Sequence, residues 1–298
     1  MDVNSVKKLK KSLPGIRDDI LLSDYTTFHV GGPASLFYIA KTNYELMKAV
    51  TSARQNGVAF FIIGGGSNIL VSDKGFEGLV IKAENSGIAI DGYTIIAESG
   101  ALLQKVVRKA LEYNLSGMEF LISIPGSLGG AIVGNAGTSE QWISSIVNSV
   151  DIMQQDGTLI LYQKSQCDFS YRLSRFKGSN VSTVLTVRLT LHRDDPAAIQ
   201  RRISVHLEKR KYQPKVQGSI GSIFKNTPTE KAWEVIDRAG LRGKKIGGAQ
   251  VSRDHANYII NTGNATAEDI VILVSYIKQQ VRDQFGIQLQ EEFEYVGF

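Results

Sequence analysis

The sequence predicts a mixed helix-and-strand chain packed as more than one domain. Three observations carry this. Short apolar runs bounded by turn residues alternate with segments of helical periodicity. Two Gly-rich loops interrupt the first half of the chain, at 64–66 and 124–137. The pattern then changes after Pro214, where a polar, Gly/Ser-punctuated loop opens a new region. A length of 298 residues suits two or three packed domains.

The elements follow in order. Residues 43–55 read as a helix, and 58–63 as a buried strand ending at Gly64-Gly65-Gly66. Strand-like runs follow at 79–82, 88–90 and 94–98. Leu103, Val106, Val107, Ala110 and Leu111 fall on one helical face. Strands are expected at 149–153, 159–162 and 181–191. Asp194-Asp195-Pro196 then opens a helix reaching Lys211, with Asp as cap and Pro in the first turn. Beyond the loop at 218–226, a helix over 230–239 ends at Gly240. A strand is expected at 258–261 and a terminal strand at 293–296. Between them runs a long helix over 266–285, with Ile270, Leu273, Val274, Ile277 and Val281 on one face.

Composition narrows the function classes. Hydrophobic residues are 43% and charged residues 21%, ordinary for a globular protein. The net charge of +5 is mild and suits anionic small molecules. The densest basic cluster is Arg201, Arg202, Lys209, Arg210 and Lys211, which lacks interleaved aromatics, so no nucleic-acid partner is expected. Cys167 is the single cysteine, which excludes an intrachain disulfide and a Cys-based metal site. His29, His192, His206 and His255 show no ligand spacing, so no metal is expected. The basic start of the chain lacks an apolar core and does not read as a secretory signal. No run of eighteen apolar residues is present, so no membrane span is expected and a cytoplasmic location is the default.

The Gly-rich loops are the candidate chemistry. Gly64, Gly65 and Gly66 let main-chain N–H groups approach a phosphate, with Ser67 and Asn68 as side-chain donors. The P-loop pattern fails for want of its Lys, and the dinucleotide fingerprint fails at Ile69. A tight turn between strands is the alternative. The second loop, Ile124-Pro125-Gly126-Ser127-Leu128-Gly129-Gly130-Ala131, is followed by Gly134-Asn135-Ala136-Gly137. Paired with the first, it suggests a grip on the two ends of an extended cofactor. A crossover at a domain junction is the alternative reading.

A set of motifs resembles the UDP-N-acetylenolpyruvoylglucosamine reductase family. Thr26 to Ala34 is similar to T-T-F-x-[IV]-G-G-P-A, and Gly64 to Asp73 to G-G-G-S-N-[IL]-L-V-x-D. Ile124 to Gly137 carries I-P-G-x-x-G-G-A and N-A-G; Tyr171 to Phe176 carries Y-R-x-S-x-F; Gly221 to Asn226 carries G-S-x-F-K-N. Ala239 to Gly243, Gly248 to Ser252, His255 to Asn257 and Ala265 to Asp269 follow in the family's order. The resemblance spans roughly residues 20–297.

The resemblance implies an α+β fold: a two-subdomain FAD-binding fold of the vanillyl-alcohol-oxidase type, then a C-terminal α+β substrate-binding domain. On this chain the FAD region covers 1–200, split near 56, and the substrate domain covers 201–298, its terminal strand returning to the active site. The chain resembles the shorter subgroup. The implied activity is NADPH-dependent, FAD-mediated reduction of UDP-N-acetylglucosamine enolpyruvate to UDP-N-acetylmuramate for peptidoglycan synthesis, by a monomer holding FAD non-covalently. The implied FAD contacts are Gly64, Gly65, Gly66, Ser67, Asn68, Ile124, Pro125, Gly126, Ser127, Gly129, Gly130, Ala131 and Asn135. Ser222 becomes the proton donor, Arg172 the carboxylate partner and Glu292 the acidic residue. Glu291 competes for that last role, although Gly297 sets a register favouring Glu292. Tyr171, Arg210, Lys225 and Asn226 become substrate contacts, with Gln213 shaping the same loop.

Thr227 and His29 depart from the family pattern, which usually has Pro and often Arg there. The Thr227 departure implies a looser turn at Asn226. Two rivals remain on the residues alone: a flavin oxidase of the same fold, and a flavin-binding protein without catalysis. Gly64 to Asp73 holds neither His nor Cys for a covalent flavin, which counts against the first.

Overall fold

The computed structural model describes residues 2–178, 182–211 and 218–298, with backbone alone for 209–211. The chain packs as two units, each assembled from three segments. The first comprises Met1–Arg17, Leu36–Gly65 and Gly78–Arg210; the second comprises Asp18–Ser35, Gly66–Glu77 and Lys211–Phe298. Pairing distant in sequence ties the second unit together: the terminal strand Glu294–Val296 runs parallel to Ile69–Val71, with Tyr295 opposite Leu70.

In the first unit, the helix Asn43–Gln55 forms where its period predicts, capped by Thr42 Oγ1, which accepts from Glu45 N–H at 3.1 Å. It buries Leu46, Ala49, Val50 and Ala53 with Phe60, Leu79 and Ile81. The strand Phe60–Ile63 pairs in parallel with Phe76–Ala83, placing Ile63 opposite Lys82. A five-stranded antiparallel sheet follows, in the order Leu159–Gln163, Val147–Met153, Thr183–Thr190, Thr94–Glu98 and Ile88–Asp91. The helix Leu103–Glu112 buries Leu103, Val106, Val107 and Ala110 in the same core. The helix Pro196–Lys211 begins as expected: Asp195 Oδ2 accepts from Ala198 N–H at 2.9 Å. Of the expected strand 181–191, residue 181 lies outside the described residues. Elements beyond the expected ones include the N-terminal helix Val3–Ser12, capped by Asp2, and the strand Pro33–Ala40.

The second unit has one core, in which Phe28, Val30 and Leu70 join Ile223, Phe224, Val235, Ile236 and the long C-terminal helix. That helix, Ala267–Phe285, buries Ile270, Leu273, Val274, Ile277 and Val281, the face its period predicts. Thr266 and Asp269 form a capping box at its start. Asp73 adds a second cap, its two carboxylate oxygens accepting from Ala267 and Glu268 N–H at 2.8 and 3.1 Å. A small antiparallel sheet, Lys245–Ile246, Ala249–Val251 and Ile259–Asn261, completes the unit. Among the described residues no helix is long and apolar enough to cross a membrane.

Candidate functional site

Gly64 and Gly65 of the first Gly-rich loop meet the second loop inside the first unit. A Cβ on Gly65 would stand 2.6 Å from the Gly126 Cα, and one on Gly64 would collide with Ser127 Oγ. The loops therefore touch backbone to backbone, which only bare glycines allow. Lys82 fixes the first loop from below, its Nζ donating to the Gly64 carbonyl at 2.5 Å. Burial holds the Lys82 ammonium below the usual lysine range.

Several N–H groups of the second loop bond within the protein. Leu128 N–H donates to Ala101 C=O at 2.8 Å, and Gly129 N–H to Ser99 C=O at 2.7 Å. Gly130 N–H reaches Ser127 Oγ at 3.4 Å. A Cβ on Gly129 would lie 2.8 Å from Ser99 Cβ. Among the described residues, no backbone hydrogen bond engages Gly65 or Gly66 N–H. The first loop is thus a cradle of bare backbone with donors to offer, as a cofactor diphosphate requires.

Asn135 too bonds within the protein. Its Nδ2 donates to Ser170 C=O at 2.8 Å and its Oδ1 accepts from Ser144 N–H at 3.2 Å. The side chain braces a turn in which Ser170 and Leu173 exchange backbone hydrogen bonds of 3.0 and 3.2 Å. Arg172 is the third residue of that turn and has φ 56°, a left-handed conformation that disfavours any side chain. Ser174 Oγ tethers the turn from the other end, donating to Val133 C=O at 2.8 Å. Arg172 Nη1 donates to Gly137 C=O at 3.1 Å, and the guanidinium lies 5.6 Å from the centre of the Tyr171 ring. Tyr171 itself is exposed.

In the second unit, residues 222–225 form a short ladder between two segments distant in sequence. On one side Ser222 pairs with Tyr258, and Ile223 N–H donates to Asn257 C=O at 2.9 Å. On the other, Phe224 pairs with Glu291, Glu292 N–H donates to Ile223 C=O at 2.8 Å, and Lys225 N–H donates to Gln290 C=O at 2.8 Å. Ser222 precedes Ile223 in this ladder, and Glu292 faces Ile223 from the opposite segment. Among the described residues no hydrogen bond is made by Ser222 Oγ. Asn68, from the first Gly-rich loop, joins this group: its Nδ2 donates to Glu292 C=O at 3.2 Å.

The two neighbouring glutamates differ in their surroundings. Glu291 receives two hydrogen bonds from Lys278 Nζ, at 2.9 and 3.1 Å. It also bonds the Tyr295 hydroxyl, which burial and the Glu291 charge push up to about 12. Glu291 is thus held in an ion pair with Lys278.

Asn226 Oδ1 accepts from Ala232 N–H at 3.0 Å, capping the helix Ala232–Arg238. Thr227 tightens its turn instead of loosening it. Its N–H donates to Glu230 C=O at 3.0 Å, a bond proline could not make, and its Oγ1 accepts from Glu230 N–H at 2.9 Å. That turn occupies the start of the expected 230–239 helix, which is why the helix begins at Ala232. Lys225 is half-buried on the ladder. Arg210 lies in its helix with a side chain outside the described residues, as does all of Gln213.

Comparison with known proteins agrees with this architecture. Residues 34–161 match the FAD binding domain family, and residues 213–296 match the UDP-N-acetylenolpyruvoylglucosamine reductase, C-terminal domain family. The chain is 38% identical over 284 residues to the UDP-N-acetylenolpyruvoylglucosamine reductase of Clostridium botulinum strain Eklund 17B, covering 95% of this chain and 93% of that one. It is 38% identical over 275 residues to the enzyme of the same name from Caldanaerobacter subterraneus subsp. tengcongensis, covering 92% and 91%. The crystal structure of the Thermus caldophilus reductase of this name superposes with a TM-score of 0.82 at 34% identity, covering 94% of this chain and 99% of that one. At the level of fold alone, a variant of Phl p 4, a glucose oxidase, aligns with a TM-score of 0.52 at 15% identity, covering 96% of this chain and 60% of that one. The chain belongs to the UDP-N-acetylenolpyruvoylglucosamine reductase family.

Proposed function

We propose that this protein reduces UDP-N-acetylglucosamine enolpyruvate to UDP-N-acetylmuramate, a step in building peptidoglycan precursors, as a cytoplasmic monomer with non-covalent FAD and NADPH as reductant. The observation that carries this reading is the backbone ladder joining the segments that hold Ser222 and Glu292, with Asn68 bonded to the Glu292 carbonyl. Residues 1–200 are read as the FAD region and 201–298 as the substrate region.

FAD, when bound, supplies the redox chemistry, relaying a hydride from NADPH to the terminal carbon of the enolpyruvyl double bond. The protein's residues do the rest. Gly64, Gly65, Gly66, Ser67 and Asn68 hold the cofactor's diphosphate through backbone and short side chains. Ile124, Pro125, Gly126, Ser127, Gly129, Gly130, Ala131 and Asn135 of the second loop complete the FAD contacts. The Arg172 guanidinium, a planar fork that can meet a carboxylate with two hydrogen bonds, contacts the substrate carboxylate and steadies the enolate-like charge developing there. Ser222 Oγ then delivers a proton to the carbon adjacent to the reduced one, completing the addition of two hydrogens across the double bond. Glu292 orients the reacting groups and handles the returning proton. Lys225, Asn226, Tyr171 and Arg210 contact the UDP-sugar, Asn226 by its amide nitrogen.

An absorbance experiment tests this. The purified yellow protein is to bleach with NADPH under anaerobic conditions and recolour on adding the enolpyruvyl substrate. Recolouring only by oxygen would point to an oxidase instead.

A further inference from the structure

We infer that Asn257 is a positioning residue for the reaction, acting by holding the backbone that carries Ser222. This rests on the reading of Ser222 as proton donor. Three observations converge on it. The Asn257 side chain closes on both polar groups of Phe224: Oδ1 accepts from Phe224 N–H at 2.9 Å, and Nδ2 donates to Phe224 C=O at 2.8 Å. Its own carbonyl accepts from Ile223 N–H at 2.9 Å. Both residues are shut away from water, Asn257 at 4% exposure and Phe224 at 1%.

A side-chain amide here imitates a strand partner. Beyond Ser222–Tyr258 the second segment turns off into His255 and Ala256, so the main chain offers Phe224 no continuing ladder. The amide replaces it, presenting an acceptor and a donor in one plane with the right spacing. The segment 222–225 is thereby gripped on both edges, by Asn257 on one and by Gln290 to Glu292 on the other. With both edges closed, the backbone from which Ser222 projects is held in place. Proton delivery to a carbon is demanding in geometry, and a displacement of about 1 Å costs on the order of 10²-fold.

The same amide also satisfies two buried backbone groups, so a purely structural role has to be separated from positioning. The discriminating measurement is the two half-reactions of the holoenzyme, followed by flavin absorbance in stopped flow. For Asn257→Ala the expectation is unchanged bleaching by NADPH, with substrate-driven recolouring slowed about 10- to 100-fold. In the double variant Ser222→Ala/Asn257→Ala, recolouring is expected to be no slower than in Ser222→Ala alone, because Asn257 acts through Ser222. Asn257→Asp keeps the acceptor for Phe224 N–H and serves if the alanine variant does not fold, with the same expectations. Equal loss in both half-reactions, no loss in either, or additive loss in the double variant would overturn the inference. Full recolouring by Ser222→Ala would instead remove the serine reading, and this inference with it.

Discussion

The backbone N–H of Glu292 donates to the carbonyl of Ile223 across 2.8 Å, joining residues far apart in the chain. The segments that carry Ser222 and Glu292 are thereby tied together through their backbones. Ser222→Ala is expected to keep bleaching by NADPH and to slow recolouring by substrate about 10²- to 10⁴-fold, the usual cost of losing a general acid. Flavin stopped flow reads both rates, and an unimpaired recolouring rate would dismiss the assignment.

The neighbouring glutamates should separate cleanly. Glu292→Gln is expected to lower kcat, while Glu291→Gln should leave kcat alone and cost about 0–1 kcal/mol of stability through the loss of its Lys278 pair. Steady-state kinetics with urea unfolding distinguishes them, and the reverse pattern would exchange their roles.

Arg172 sits at φ 56°, where an L-residue costs about 1–2 kcal/mol. Arg172→Gly should therefore unfold at the same temperature as the parent or slightly higher, despite losing the bond to Gly137. Its kcat/KM should collapse. Arg172→Lys should keep the strain and lose the fork, and so be no more stable and still impaired. A marked drop in melting temperature for the glycine variant would show that the left-handed turn is not strained.

Contact between the Gly-rich loops predicts a suppressor. Gly64→Ala drives a methyl group into Ser127 Oγ, and overpacking of this kind costs about 1–3 kcal/mol. The variant should purify with less flavin. Adding Ser127→Ala removes the colliding oxygen and leaves the Ser127 Cβ 3.3 Å from the new methyl, so flavin content should partly recover. No recovery would mean that the loops do not meet in this way.

His255 offers a pH test of the same region. Burial first, and then the Arg242 charge, hold its imidazole below the ordinary histidine range. Its Nδ1 accepts from Asn257 N–H at 3.3 Å, which needs the neutral ring. The unfolded chain then binds the proton more readily than the folded one. Stability is therefore complete above about pH 6.5 and falls as pH drops from there through the folded value. Urea unfolding between pH 7.5 and 5.5 should show this loss, and His255→Gln should flatten it. An equal loss in both proteins would remove His255 as the cause.

Much of this protein was legible in its residues. Asn43–Gln55 and Ala267–Phe285 announce themselves by period and cap, because a helix's hydrogen bonds and its apolar face are both local. The Gly-rich loops and the ordered motifs fixed the family and named Ser222, Arg172 and Glu292. The strand Pro33–Ala40 was passed over because most of its residues are buried, leaving little alternation to read. Other features belong to long-range pairing and have no sequence signal of their own. Spending the Leu128, Gly129 and Gly130 donors required Ala101, Ser99 and Ser127 to arrive beside them. The ion pair that sets Glu291 apart from Glu292 required Lys278, one helix away. The roles of Asn135 and Asn257 appeared only when their amides met Ser170 and Phe224. Sequence alone thus determined the residue types and local elements the chemistry needs. Only the tertiary structure decided which polar groups bond to the protein's own backbone and which remain for a ligand, because a buried polar group takes whichever partner folding brings within reach.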